Sequence, residues 1–354
     1  MKKEHILVIR FSALGDVAMA VPVVYSLANT YPDLRITVLS RAFARTFFED
    51  LAPNVNFMEA DLKNEYKGVK GLNALYRRLA AKHFTAVADL HSVLRSDYLR
   101  MRFKLGRYKV AHIDKHRKGR RKLTAKKDKL LEQQPTSFKK YADVFEKLGY
   151  PINPQFKSVF PTEGGNLNLL PAIFGPKKDF ENWIGIAPFA AHQGKIYPVE
   201  LMKKVVTDTI EKHPKSRIFL FGRGKQEGET FSEWCNEIPQ CTYVGRHLET
   251  MQQELILMSH LDLMVSMDSA NMHMASLTAT PVVSVWGATH PYAGFLGWNQ
   301  STENVVQLDL PCRPCSIYGN KECERGDYAC MRNITPQKIT EKIDAILNKK
   351  SNHQ

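Results

Sequence analysis

Met267-Asp268-Ser269-Ala270-Asn271 is a join built from helix-capping residue types. Before it, Leu261–Val265 is a short apolar run, and Pro281–Val285 is another after it, so both are predicted as buried parallel strands. Asn271 to Ala279 has small residues and no interior Pro or Gly, which predicts a helix. Free N–H groups at such a helix start, together with the macrodipole, suit a phosphate or diphosphate. Taken alone, the same residues also describe an ordinary turn with Asp268 or Ser269 as N-cap. A second turn of interest is Phe11-Ser12-Ala13-Leu14-Gly15-Asp16, which follows the predicted strand Ile6–Arg10. A Gly-Asp pair there lies at the ligand-facing edge of an open α/β sheet. Cys312, Cys315, Cys323 and Cys330 form a third group, spaced C-x2-C-x7-C-x6-C. Four thiolates can enclose a structural zinc, but the two longer gaps are short for paired-CxxC sites, so reduced thiols packing a loop are expected.

Charge is unevenly placed. The net charge is +14, and Arg100 to Lys129 holds 14 Lys/Arg against Asp114 and Asp128. Such a segment calls for an anionic partner or is a solvated loop. Nucleic acid is a poor match, because only Phe103 and Tyr108 lie in the segment to stack on bases. Neither G-x-G-x-x-G nor a Walker A sequence occurs, so dinucleotide oxidoreductases and P-loop enzymes lack their fingerprints. No apolar run approaches the ~20 residues of a membrane span. The start, MKKEHILVIRFSALGD, begins like a signal peptide, but Arg10 and Asp16 interrupt it, so a strand and a cytoplasmic protein are expected.

The elements that would position these residues alternate along the chain. Strands are predicted at Arg35–Ser40, Val55–Ala60, Ala86–Leu90 and Val110–Ile113, with helices at Val17–Thr30, Gly71–Lys82, Val93–Lys104 and Phe138–Leu148. A second series begins at Trp183–Pro188. It continues through helix Val199–His213, strand Arg217–Phe221, a helix near Glu229–Glu237, strand Thr242–Val244 and a helix near Met251–Met258. An amphipathic helix, Thr335–Lys349, closes the chain. The expected fold class is α/β, with two doubly wound Rossmann-like domains facing a central cleft: residues 1–160, a linker at 161–182, and residues 183–354.

The quoted residues resemble a known family. ILVIRFSALGDVAMAVPVVYSL is similar to the opening of family 9 glycosyltransferases, the ADP-heptose:lipopolysaccharide heptosyltransferases. VSMDSANMHMASLTATPVVSVWGATHP resembles that family's D-[ST]-G-x-x-H-x-A-A segment and the P-x-[IV]-x-x-[FYW]-G-x-T-x-P that follows it. Asp89-Leu90-His91 with Arg95-Ser96 is similar to its D-x-Q-x-x-x-R-S segment, and the cysteine-bearing tail occurs in some members. Ala270 stands where Gly is usual, and His91 where Gln is common.

The resemblance implies a GT-B architecture and an inverting, metal-independent transfer from a nucleotide diphosphate sugar. Asp16 would be the base and Lys195 the cation facing the diphosphate; their plain alternatives are an N-cap and a surface lysine. Asp268, Ser269, Ala270 and Asn271 would hold the donor, with His273 and Glu227 as further donor-side candidates; His273 also reads as a structural histidine. On the acceptor side it implies His91 and Arg95. Arg117, Lys118, Arg120 and Arg121 are expected to form a mobile basic loop of the N-terminal domain that captures an anionic lipopolysaccharide core. The donor would be ADP-heptose, with no cofactor, no nucleic acid, and peripheral contact with the inner face of the cytoplasmic membrane. Other expectations from the same residues are another nucleotide sugar and surface glycan, a nucleic-acid-binding protein, or a non-catalytic sugar-nucleotide binder.

Overall fold

The structure, a computed structural model, describes residues 4–351. It divides into two compact units, Met1–Lys115 with Pro135–Val159, and His116–Gln134 with Phe160–Gln354.

The first unit runs β1 (His5–Ile9), α1 (Leu14–Ala18), α2 (Val21–Thr30), β2 (Arg35–Ser40), α3 (Arg45–Phe48), β3 (Val55–Glu59), α4 (Gly68–Ala80), β4 (Ala86–Asp89), α5 (Leu94–Leu105) and β5 (Lys109–His112). The chain then gives α6 (Arg117–Leu123) to the other unit and returns for α7 (Ser137–Lys147). The five strands are parallel in the order β3-β2-β1-β4-β5. All five residues of β1 are buried, as expected of a central parallel strand covered on both faces. The single helix expected at 17–30 is two helices. Pro22 sits at the second position of α2, where a missing N–H breaks no helical bond.

In the second unit the order is β6 (Asn182–Ala187), α8 (Val199–Lys212), β7 (Ser216–Leu220), α9 (Lys225–Glu237), β8 (Cys241–Tyr243), α10 (Met251–Met258), β9 (Leu263–Met267), α11 (Ala270–Leu277), β10 (Val282–Val285), β11 (Val305–Val306), α12 (Ala329–Arg332) and α13 (Pro336–Ser351). Its six strands are ordered β11-β10-β9-β6-β7-β8. Ile339, Ile343 and Leu347 of α13 enter the core beside Val205 and Val206 of α8. That burial gives the closing helix a tertiary reason to form, beyond its own propensity.

Two expected boundaries move. The stretch 161–182, read as a linker, groups with the second unit. Phe174 is buried there, and the Lys177 ammonium donates to an Asp262 carboxylate oxygen at 2.8 Å. The basic stretch 116–134, assigned by sequence to the first domain as a mobile loop, also belongs to the second unit and carries helix α6. Aromatic packing holds it. The Arg120 guanidinium lies 5.0 Å from the Phe295 ring centroid and donates to the Tyr318 hydroxyl at 2.8 Å. Lys129 Nζ donates to the Pro314 carbonyl at 3.1 Å, and Gln134 N to the Tyr292 carbonyl at 2.8 Å. Ordered backbone is a poor protease substrate. Limited trypsin digestion of the native protein is therefore expected to leave the Arg117–Lys122 bonds among the last cut. Their appearance among the first cuts would return the segment to a mobile loop.

Candidate functional site

Each sheet reverses its strand order once, between β1 and β4 in the first unit and between β9 and β6 in the second. Loops at the carboxyl ends of such neighbouring strands diverge and leave room for ligands. The candidate residues fall on those loops.

In the first unit, β1 ends at Ile9 and the turn 10–13 leads into α1. Asp16 is the third residue of α1, and its Oδ2 accepts from the Ala13 N–H at 3.3 Å. The carboxylate therefore closes the turn from inside the helix; the N-cap position belongs to Ala13. The same oxygen lies 2.6 Å from Arg10 Nη2, with the Arg10 side chain 8% exposed and that of Asp16 28%. Arg10 Nη1 donates to the Leu90 carbonyl at 2.6 Å, and the guanidinium faces the Tyr141 ring at 5.8 Å. Sequence reasoning missed this partner. Its signal was a charged residue directly after the apolar run Ile6–Ile9, where a buried cation demands an anion.

His91 lies beneath the same turn. Its Nδ1 accepts from the Phe11 N–H at 3.4 Å, and its Nε2 is 3.4 Å from the Ser12 hydroxyl. Burial, aided by Arg10, pushes the imidazole down to about 3, so it is neutral and carries its proton on Nε2. Asp89, fully buried, accepts from the N–H groups of His91 and Ser92 at 2.9 Å each and from Arg100 Nη1 at 3.1 Å. Arg95 is exposed on the first turn of α5.

In the second unit, Lys195 follows β6 and Asp268 follows β9. Lys195 Nζ stands 3.2 Å from Asp268 Oδ2, with the side chains 14% and 6% exposed. The sequence suggested both residues but not their pairing. Ser269 is the N-cap of α11, yet its side chain makes no capping bond. Ser266 Oγ is its hydroxyl neighbour, at 3.3 Å. Ser269, Ala270 and Asn271 are half-exposed, and His273 is buried one turn further on. Glu227 is otherwise engaged: its Oε2 accepts from the N–H groups of Arg223 at 2.7 Å and Gly224 at 3.0 Å, which caps α9. Of its two carboxylate oxygens, the cap takes one.

The tail that carries the cysteines packs behind Lys195. Gly319, at φ +77°, lies where a Cβ would stand 2.5 Å from Lys195 Cγ and Cδ, so glycine is required on both counts. Gly194 O accepts from Ala288 N at 2.8 Å, and Ala288 O accepts from Cys315 N at 3.1 Å. Arg313, 3% exposed, donates to the carbonyls of Gly287, Leu308 and Thr289 and to Gln307 Oε1. It ties the loop after β10 to the cysteine tail. Thr289 Oγ1 is buried without a partner among the described residues. The four cysteines are free thiols lining one cavity of about 300 Å³, and burial raises Cys315 and pushes Cys330 up to about 11. Among the described residues, no three His, Cys, Asp or Glu side chains are grouped to hold a metal ion.

Compared with known proteins, residues 72–324 match the family model of glycosyltransferase family 9 (heptosyltransferase). The chain is 22% identical over 352 residues to lipooligosaccharide heptosyltransferase 2 of Campylobacter jejuni, covering 94% of this chain and 95% of that protein. Among solved structures it resembles E. coli ADP-heptose lps heptosyltransferase II, with a TM-score of 0.67, 20% identity and coverage of 98% and 99%. It also resembles a family 9 glycosyl transferase from Veillonella parvula, with a TM-score of 0.73, 18% identity and coverage of 99% and 98%. The fold is therefore GT-B, as expected.

His91 supplies a pH test. Its proton affinity is lowered in the folded chain, so the neutral form stabilises fully above its ordinary value of 6.5 and that stability is lost as pH falls toward 3. The slope is about 1.4 kcal/mol per pH unit below pH ~6. His91→Gln keeps a side-chain acceptor and should lose less Tm than the wild type between pH 7 and 5. Parallel curves would contradict this burial effect. Separately, Arg313→Ala leaves buried carbonyls unpaired and is expected to cost about 3 kcal/mol, measured by urea unfolding.

Proposed function

The chain belongs to glycosyltransferase family 9, the heptosyltransferases, and from that premise we propose that it moves heptose from ADP-heptose to an anionic lipopolysaccharide core, with inversion and without a metal. The observation that carries this reading is the Lys195–Asp268 pair beside a helix start whose N-cap side chain leaves its N–H groups free.

A departing diphosphate gains negative charge as the sugar–oxygen bond breaks. Lys195 has three N–H donors, and Asp268 takes one direction, which leaves others for the diphosphate. The N–H groups at Ser269, Ala270 and Asn271 add the dipole of α11. Together they supply the positive field that a divalent ion would otherwise give. His273 supports this helix from the buried side.

Asp16 takes the proton from the acceptor hydroxyl as that oxygen attacks the anomeric carbon and the sugar–diphosphate bond breaks on the opposite face. Arg10 and the Ala13 N–H aim its carboxylate. Arg95 of the first unit offers an exposed cation to the acid groups of the acceptor; in the second unit, Arg117, Lys118 and Arg121 of α6 are exposed cations and Arg120 anchors α6 through Tyr318. His91, being neutral, serves by holding the turn that carries Asp16. Glu227 keeps one carboxylate oxygen for the ribose.

With purified protein, ADP-heptose and acceptor, Asp16→Asn is expected to lower turnover on the order of 10²–10⁴-fold with donor affinity little changed. Lys195→Ala should weaken both donor binding and turnover, the latter on the order of 10²-fold. EDTA should leave the wild-type rate intact. A near-normal Asp16→Asn enzyme would remove the base assignment, and complete loss in EDTA would overturn the metal-free reading.

A further inference from the structure

Helix α5 has two apolar faces. Leu99 and Phe103, both fully buried, pack it into the first unit's core. Opposite them, Leu94 is 89% exposed, Met101 48% and Leu105 74%, with the half-exposed Tyr98 between. The spacing 94, 101, 105 puts the three exposed residues on one stripe at helical period, so their side chains form an outward apolar ridge, with Tyr98 at its base packed against the core. Scattered exposed leucines need no explanation, but an ordered stripe on a solvent-facing helix does.

Cations border the ridge. Arg95, Lys104 and Arg107 are exposed on and just beyond the helix. Arg102 is directed sideways by Asn73 and the Tyr76 ring, 4.5 Å from its guanidinium. The acid of the helix, Asp97, is tied to Arg100 at 2.9 Å. The border therefore presents positive charge without competing anions on the same helix. Apolar side chains that enter hydrocarbon, flanked by long cationic side chains that reach headgroups, characterise a helix lying in a membrane interface. Exposed apolar side chains fit a fluid surface that moulds around them.

We propose that α5 docks the protein on an anionic lipid bilayer, with Leu94, Met101 and Leu105 inserted at the headgroup–acyl boundary. This rests on the reading above only in that a lipid-linked acceptor gives the docking its use. The ridge begins one short loop after β4, at the carboxyl edge of the sheet that also bears Asp16. Docking there brings membrane-borne substrate to the catalytic edge of this unit. The basic residues of α6 do not carry the proposal, since they belong to the other unit.

The test is co-sedimentation of the full-length protein with vesicles, without donor or acceptor. The wild type is expected to bind phosphatidylglycerol-containing vesicles and to bind phosphatidylcholine vesicles at least tenfold more weakly, with added salt reducing the former. Leu94→Ser/Met101→Ser/Leu105→Ser removes exposed groups only, so folding should persist, checked by Tm. Its vesicle affinity should fall by on the order of tenfold or more. Transfer to a delipidated acceptor saccharide should be unchanged, while transfer to acceptor embedded in vesicles should fall. Wild-type-like vesicle binding by the triple variant, or no vesicle binding by the wild type, overturns the proposal. So does a wild-type dimer that the variant converts to monomer, which would make the ridge a protein interface. Vesicle binding without any transfer would instead count against the function proposed above and leave the docking intact.

Discussion

A parallel sheet is closed on both faces by its crossover helices, and it opens to ligands only where the strand order reverses. Both units obey this constraint: the reversal falls at β1/β4 in one and at β9/β6 in the other. Arg10, Asp16 and His91 stand at the first, and Lys195 and Asp268 at the second. Placing charge there has a cost. β1, β4, β6 and β9 are buried on both faces, so a charged side chain at their ends is largely withdrawn from water and needs a counter-charge. Arg10 with Asp16 and Lys195 with Asp268 meet that need, and each pairing also fixes where a charged side chain points.

The supporting structure explains how a lysine can be held so closely. Its aliphatic stem passes a glycine in left-handed backbone, and the backbone beside it is hydrogen-bonded to the loop after β10. Arg313 binds that loop to the cysteine tail through three carbonyls and a side-chain amide. Buried carbonyls without donors would be costly. The tail is thus part of the scaffold of Lys195, and burial raises the Cys315 and Cys330 thiols, which remain protonated packing groups at neutral pH.

Charge on this molecule is sorted by environment. His91 is buried near Arg10 and stays neutral, so it works as a hydrogen-bonding wedge under the Asp16 turn. The cations of α6 remain exposed except where Arg120 meets Phe295 and Tyr318. On α5 the exposed cations border apolar side chains that also face water.

Much of this was legible in the amino-acid order because it depends on neighbours in the chain. Apolar runs predicted every parallel strand but β11 to within a few residues, and capping residues marked the start of α11; Gly15-Asp16, read as part of the turn after β1, lies inside α1. Motif residues at 12–16, 89–96 and 268–290 indicated the family that the match over residues 72–324 bears out. Other features required the folded chain. The partners Arg10–Asp16 and Lys195–Asp268 depend on which loops the strand order brings together, and no local pattern encodes distance across a sheet. Glu227 lost an oxygen to the cap of its own helix, a choice made by backbone geometry. The stretch 116–134 joined the second unit because Phe295, Tyr318 and Pro314 lie far along the sequence and supply its contacts. On α5, apolar residues stand on two faces. Only the packing of Leu99 and Phe103 decided which face was core and left Leu94, Met101 and Leu105 to solvent, because burial is a property of the surroundings and not of the residue.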